Sequence, residues 1–144
     1  MIQIREMTES HVTQVAEMEK LIFSDAWSEN SVRSELTNEL SLWLVALDGE
    51  TVAGYIGSQT VMQEADMLNL AVRAEYRRYG IGRKLVQELI SRLDAHCLSL
   101  EVRVSNEPAK KLYESMGFVQ VGLRRNYYQK PKEDALILRK DWEK

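Results

Sequence analysis

Two groups of residues in this 144-residue chain have types and spacings suited to binding an anion and moving protons. The first is Arg77-Arg78-Tyr79-Gly80-Ile81-Gly82-Arg83, placed between an apolar strand pattern and an amphipathic helix pattern. A helix start offers N–H groups without intrahelical partners and a partial positive charge, so it suits a phosphate. Gly80 and Gly82 let the backbone approach an anion without a Cβ in the way. Arg78 and Arg83 add charge-assisted donors for a pyrophosphate or ribose phosphate. Alone, the glycine pair is equally compatible with a plain loop-to-helix turn. Two other phosphate motifs are excluded: the dinucleotide fingerprint needs a third glycine where Leu85 stands, and a P-loop needs Gly-Lys-Ser/Thr, whereas Gly82 precedes Arg83.

The second group is Glu101 with Tyr113. A carboxylate suits removal of a proton from a reacting group, and a phenol suits delivery of one to a leaving group. Each has a structural reading too. Glu101 alternates onto the face of Ser99 and Arg103, as a solvated strand residue does, and Tyr113 shares a helix face with Ala109 and Met116. Spacing alone favours those structural readings. His11 and His96 lack companions at metal-ligand spacing, so no metal is assigned. His96 adjoins Cys97, but strand neighbours point to opposite faces, so Cys97 reads as a buried structural thiol.

The elements that must position these residues follow from the hydrophobic pattern. Ile2–Arg5 reads as a strand, and Thr8 caps a helix with Val12, Val15, Ala16 and Ile22 on its apolar face. Ser28 caps a shorter helix with Val32 and Leu36 four apart. Leu42–Leu47 and Val52–Gly57 are strands joined by an Asp48-Gly49 hairpin turn. Met67–Val72 is a strand, followed by a helix from about Ile81 with Leu85, Val86, Leu89, Ile90 and Leu93 on one face, then a strand at Leu98–Val104. That strand–helix–strand order predicts a right-handed crossover between parallel neighbours. A helix through Ala109, Leu112, Tyr113 and Met116 ends at Gly117, and Phe118–Leu123 and Ala135–Arg139 are the last strands. The predicted fold class is α/β, a mixed sheet in the order β-α-α-β-β-β-α-β-α-β-β, in one domain spanning 1–144.

Composition agrees with a single globular domain: 44% hydrophobic and 28% charged residues, with no linker or repeat. The net charge of −3 argues against a general nucleic-acid binder. Basic residues cluster at Arg77, Arg78, Arg83 and Lys84 and at Arg124 and Arg125; such clusters in a mildly acidic chain are most often a solvated face, and the sharper reading is a pocket for one anionic small molecule. A single cysteine, no signal-peptide pattern and no apolar run near the ~20 residues of a membrane helix predict a cytoplasmic protein with no membrane role.

Together these segments resemble the GNAT superfamily of N-acetyltransferases over nearly the whole chain. The likeness is carried by Asn69-Leu70-Ala71-Val72, Arg77-x-x-Gly80-x-Gly82 and Leu100-Glu101-Val102-Arg103-x-Ser105-Asn106. It continues in Leu112-Tyr113-Glu114-Ser115-Met116-Gly117-Phe118, Arg124-Arg125-Asn126-Tyr127-Tyr128 and Glu133-Asp134-Ala135. Within the superfamily the nearest likeness is to enzymes acetylating the N-terminal alanine of a small-subunit ribosomal protein. The resemblance implies the GNAT-type acyl-CoA N-acyltransferase fold, with acetyl-CoA as co-substrate in a V-shaped gap between parallel strands. It implies that the backbone of Leu70, Ala71 and Val72 holds the acetyl and pantetheine amides, that Arg78, Tyr79, Gly80, Ile81, Gly82 and Arg83 hold the pyrophosphate, and that Asn106 contacts the cofactor. Glu101 would be general base, through water, and Tyr113 general acid. The Phe23–Ser28 loop and Tyr127-Tyr128 would flank the acceptor, a protein or peptide N-terminus. The chain departs from the pattern at Ala26-Trp27-Ser28, where such enzymes often read Pro-Trp-Ser, and at Gln129-Lys130-Pro131-Lys132, which lacks the glycine common there. Both departures bear on the acceptor. The rival readings are acetylation of a lysine side chain or small amine, and a non-catalytic acetyl-CoA sensor.

Overall fold

The structure is a computed structural model that describes residues 1–142. The strands are β1 (Ile2–Glu6), β2 (Ser41–Asp48), β3 (Thr51–Val61), β4 (Glu64–Val72), β5 (Cys97–Arg103), β6 (Val119–Gln129) and β7 (Lys132–Asp141). The α-helices are α1 (Glu9–Ile22), α2 (Glu29–Ser34), α3 (Ile81–Arg92) and α4 (Glu107–Ser115). Their order is the one expected from the sequence, with two short 3-10 turns added at Glu35–Thr37 and Ala74–Tyr76. The strands form a sheet in the order β1-β2-β3-β4-β5-β7-β6. β4 and β5 are parallel, pairing Glu64 with Cys97 through Asp66 with Ser99, while β5–β7 and β6–β7 are antiparallel. Among the described residues no helix is long and apolar enough to cross a membrane.

The chain divides into two compact units: Met1–Gln59 with Leu68–Leu93, and Thr60–Met67 with Asp94 onward. In the first, Val12, Val15 and Met18 of α1 and Val32 of α2 pack with Trp43, Val45, Tyr55 and Ala71. Trp43 lies so close to β3 that a Cβ at Gly57 would sit 2.5 Å from its ring, so only glycine fits there. Leu85, Val86 and Leu89 are fully buried on α3, each worth roughly 1.5–3 kcal/mol relative to exposure. In the second unit, Leu98, Leu100 and Val102 of β5 are buried, while Ser99, Glu101 and Arg103 alternate onto a half-exposed face.

Several local expectations are corrected. The first hairpin turns at Gly49-Glu50, with Asp48 already paired to Thr51. β3 runs on to Val61 and reverses at Met62-Gln63, both at positive φ, a turn with no glycine to announce it. α2 stops at Ser34, so Leu36 is exposed rather than on Val32's buried face. On α1, Ile22 is exposed at the helix end, and Met18 and Glu19 take its place in the core. Val104 lies beyond the end of β5 and is exposed.

Candidate active site

In the first unit, β4 delivers the chain through Arg73–Tyr76 into the arginine–glycine loop and α3. Gly80 is the N-cap of α3 in the left-handed region, φ 76° and ψ 17°, a conformation glycine adopts without penalty. Arg78 also has positive φ, 73°, which a side-chain-bearing residue adopts at a cost. Nothing lies within 4 Å of where a Gly80 Cβ would be. The start of α3 thus has an uncrowded cap, and helix starts carry N–H groups without intrahelical partners, which suits an anion. Arg78 and Tyr79 are exposed, Arg83 is half-buried, and the Ile81 side chain is buried, so Ile81 has only backbone to offer a ligand. Gly82 follows in the first turn of α3 without a positive φ. On β4, Ala71 is buried while Leu70 and Val72 are half-buried.

In the second unit, β5 places Glu101 on its half-exposed face opposite Ile137 of β7. Its Oε1 lies 3.4 Å from Arg124 Nε, and its side chain keeps 28% of its exposure. Burial raises its proton affinity above the ordinary carboxylate range; Arg124 opposes this and Asp66 reinforces it. Such a carboxylate takes a proton more readily than a solvated one. Asn106 caps α4, its Oδ1 accepting the Ala109 N–H at 3.2 Å, with Pro108 in the first turn. Tyr113 lies on α4 and is 5% exposed, its ring edge-on to Phe118 at 5.5 Å. Burial pushes its phenol well above the usual range, so the hydroxyl keeps its proton at neutral pH. Among the described residues that hydroxyl has no hydrogen-bond partner, so it is a donor without an assigned acceptor. Tyr128 is half-buried, with Arg103 stacked 4.1 Å over its ring, and its phenol is pushed up to about 12, mainly by burial. Glu133 holds that arginine at 3.2 Å and accepts the Ser105 N–H at 2.7 Å.

Asp66 and Arg124, which set the charge environment of Glu101, were not legible as its neighbours. They lie on other strands, and no local spacing signals such a pairing. A further grouping escaped the sequence: ligand-type atoms of His96, Cys97 and Asp141 lie within 4.8 Å of one another. His96 precedes the strand, so the opposite-face argument does not govern it, and Asp141 arrives as the β7 partner of Cys97. Arg139 already pairs with Asp141 at 3.0 Å.

The acetyltransferase (GNAT) family profile matches residues 12–118. The chain belongs to the GNAT acetyltransferase family. A Bacillus subtilis protein described as a candidate ribosomal protein bS18-alanine N-acetyltransferase is 40% identical over 139 residues, 94% of this chain and 92% of that one. The Escherichia coli ribosomal protein bS18-alanine N-acetyltransferase is 38% identical over 117 residues, 78% of each chain. The crystal structure of the Escherichia coli ribosomal-protein-S18-alanine N-acetyltransferase superposes with a TM-score of 0.91 at 33% identity, covering 100% of this chain and 96% of that one. This GNAT protein is accordingly an N-acetyltransferase that uses acetyl-CoA as co-substrate. An exposed Arg78 and an uncrowded Gly80 cap are groups of the kind that suit a pyrophosphate.

Proposed function

We propose that the chain acetylates the N-terminal α-amine of alanine on ribosomal protein bS18, as a single catalytic domain and by direct transfer within a ternary complex. The observation that carries this reading is Glu101: a half-buried carboxylate with raised proton affinity and one long ion pair, in a chain whose relatives bear that activity by name. Bound acetyl-CoA supplies the acetyl thioester. The N–H groups at the start of α3, with Arg78 and Arg83, bind its pyrophosphate, and the Leu70–Val72 backbone holds its amides. Asn106 contributes a further cofactor contact through the part of its amide not used as a helix cap. Glu101 accepts the proton lost by the amine through a water molecule. Tyr113 keeps its proton until the C–S bond breaks and then donates it to the departing sulfur. The Phe23–Ser28 loop and Tyr127-Tyr128 contribute to recognition of the acceptor peptide.

The acceptor follows from magnitudes as well as likeness. An α-amine has a pKa near 7.7–8.0 against about 10.4 for lysine, so neutralising lysine near pH 7 costs roughly 3.4 kcal/mol more. A lone carboxylate working through water matches the smaller task. The test compares initial rates of coenzyme A thiol release on a peptide with the bS18 N-terminus, an N-blocked lysine peptide and a polyamine. The bS18 peptide should lead by at least tenfold. A lead for either rival amine overturns the acceptor, and no release with any of them overturns the enzyme reading.

A further inference from the structure

Glu19 occupies an unusual place for a carboxylate. It lies in the last turns of α1 with none of its surface exposed, among Met18, Trp43 and Tyr55 of the first unit's core. Among the described residues no lysine or arginine pairs with it; three neutral donors hold it instead. Oε1 accepts the Trp27 backbone N–H at 3.0 Å. The Asn69 side-chain amide on β4 spans both oxygens at 3.1 and 2.9 Å. The Tyr55 hydroxyl on β3 donates to Oε2. The backbone of the same residue closes the other end of the loop, since the Phe23 N–H donates to the Glu19 carbonyl at 2.9 Å. The segment from Phe23 to Trp27 therefore begins and ends on one residue. The aromatic packing repeats the connection: Trp27 meets Trp43 edge-on at 5.4 Å, and Trp43 stacks on Tyr55 at 6.1 Å.

Burying a carboxylate is costly, and apolar residues of similar volume often give equal or better stability at such sites. A satisfied polar network does something packing alone does not, because directional bonds fix one arrangement of the groups they join. The groups joined here are a loop and β4 at Asn69, the residue just before Leu70.

We infer that Glu19 is a positioning residue: its buried carboxylate fastens the Phe23–Ser28 loop to β4 beside Leu70–Val72 and thereby sets the affinity for the acceptor peptide. The inference rests on the reading above that this loop meets the acceptor. It does not place Glu19 in contact with any reacting atom.

The test combines kinetics with hydrogen exchange. Glu19→Gln keeps the size of the side chain but replaces one acceptor oxygen with a donor facing donors. The expected result is a peptide KM raised about tenfold, with kcat and acetyl-CoA affinity within twofold of wild type, and at least tenfold faster exchange of the Trp27 amide. The exchanged pair Glu19→Gln/Asn69→Asp lets an amide donate to a carboxylate again, and should return KM to within about threefold of wild type. Tyr55→Phe removes one donor while keeping the ring, so it should raise KM more modestly and serves if Glu19→Gln does not fold. A Glu19→Gln or Tyr55→Phe enzyme that loses thermal stability with wild-type KM overturns the inference. Exchange is measured without substrate, so the two readings fail separately. A wild-type Trp27 amide that exchanges freely overturns the role of Glu19, whereas a wild type inactive on alanine-ended peptide overturns the acceptor reading.

Discussion

Glu19 and Glu101 are both carboxylates whose proton affinity is raised by burial, and the structure treats them in opposite ways. Glu19 has no exposed surface and three donors around it, so a proton on either oxygen would compete with a hydrogen bond that oxygen already accepts. Glu101 keeps 28% of its side-chain exposure, one ion pair at 3.4 Å and an acidic neighbour, Asp66. Satisfied lone pairs make a carboxylate a structural fastening, whereas spare ones leave it able to exchange a proton. A raised pKa alone does not separate the two roles; the donors around it do.

The largest expected effect breaks the comparison at Glu101. Glu101→Gln should lower kcat by about 10²–10⁴, the usual contribution of general acid–base catalysis. The loss should shrink as pH rises through the pKa of the amine itself, because the acceptor then arrives neutral. Stability should move the other way. A carboxyl group whose folded pKa is raised favours the fold more as pH falls through that value, and ionised at neutral pH it opposes folding. The variant should therefore melt at or above the wild-type temperature at pH 7, with the difference closing below the raised pKa. Wild-type kcat/KM should show an acid limb centred above 4.5, the ordinary value, and the variant should lack it. An equal rate loss at every pH would assign Glu101 to positioning and erase its contrast with Glu19.

Tyr113→Phe comes next, with an expected fall in kcat of about 10²-fold. The hydroxyl has no protein partner among the described residues, so its removal should leave thermal stability unchanged. A satisfied core hydroxyl would instead cost about 1 kcal/mol on deletion and leave kcat alone. Measuring both on one variant decides between the phenol as donor and the phenol as packing.

What the sequence disclosed depended on distance along the chain. Element order was readable, since Leu85, Val86 and Leu89 on α3 and the alternation of Leu98, Leu100 and Val102 repeat locally. The anion loop was readable because its glycines and arginines are adjacent, although the positive φ of Arg78 was not. The surroundings of Glu101 and Glu19 were hidden. Arg124 reaches Glu101 from 23 residues away, and Asn69 and Tyr55 reach Glu19 from 50 and 36 residues away. Such contacts arise from tertiary packing between a helix and strands, or between strands that are not neighbours in the sheet, which local residue spacing does not encode. The Met62-Gln63 reversal was missed for a different reason: positive φ usually announces itself as Gly, Asn or Asp, and neither residue is one.

Arg78→Gly should have a smaller effect, on binding alone. Glycine relieves the positive φ of 73°, so stability should hold or rise, while loss of the guanidinium should weaken acetyl-CoA about tenfold. Calorimetric titration with acetyl-CoA reads the affinity and thermal denaturation reads the fold. Unchanged affinity would remove Arg78 from the pyrophosphate site. The substitution is more informative than one at Gly80, whose own left-handed φ of 76° would add backbone strain to any charge effect.

The smallest expected effect tests whether the Glu19 connection is specific. Ser28 adjoins Trp27 and caps α2, its Oγ accepting the Ser31 N–H at 3.1 Å. Ser28→Ala removes that cap and should cost about 1 kcal/mol, which for a chain of this size lowers the melting temperature by roughly 3–5 °C. The Trp27 N–H keeps its bond to Glu19 in this variant, so the loop remains fastened at that end. Exchange of the Trp27 amide should therefore stay within twofold of wild type, against at least tenfold faster for Glu19→Gln, although the two substitutions touch neighbouring points of one loop. Hydrogen exchange without substrate, with melting curves of the same preparations, measures both. If Ser28→Ala frees the Trp27 amide as far as Glu19→Gln does, any loosening near the loop releases it, and the buried carboxylate has no separate role.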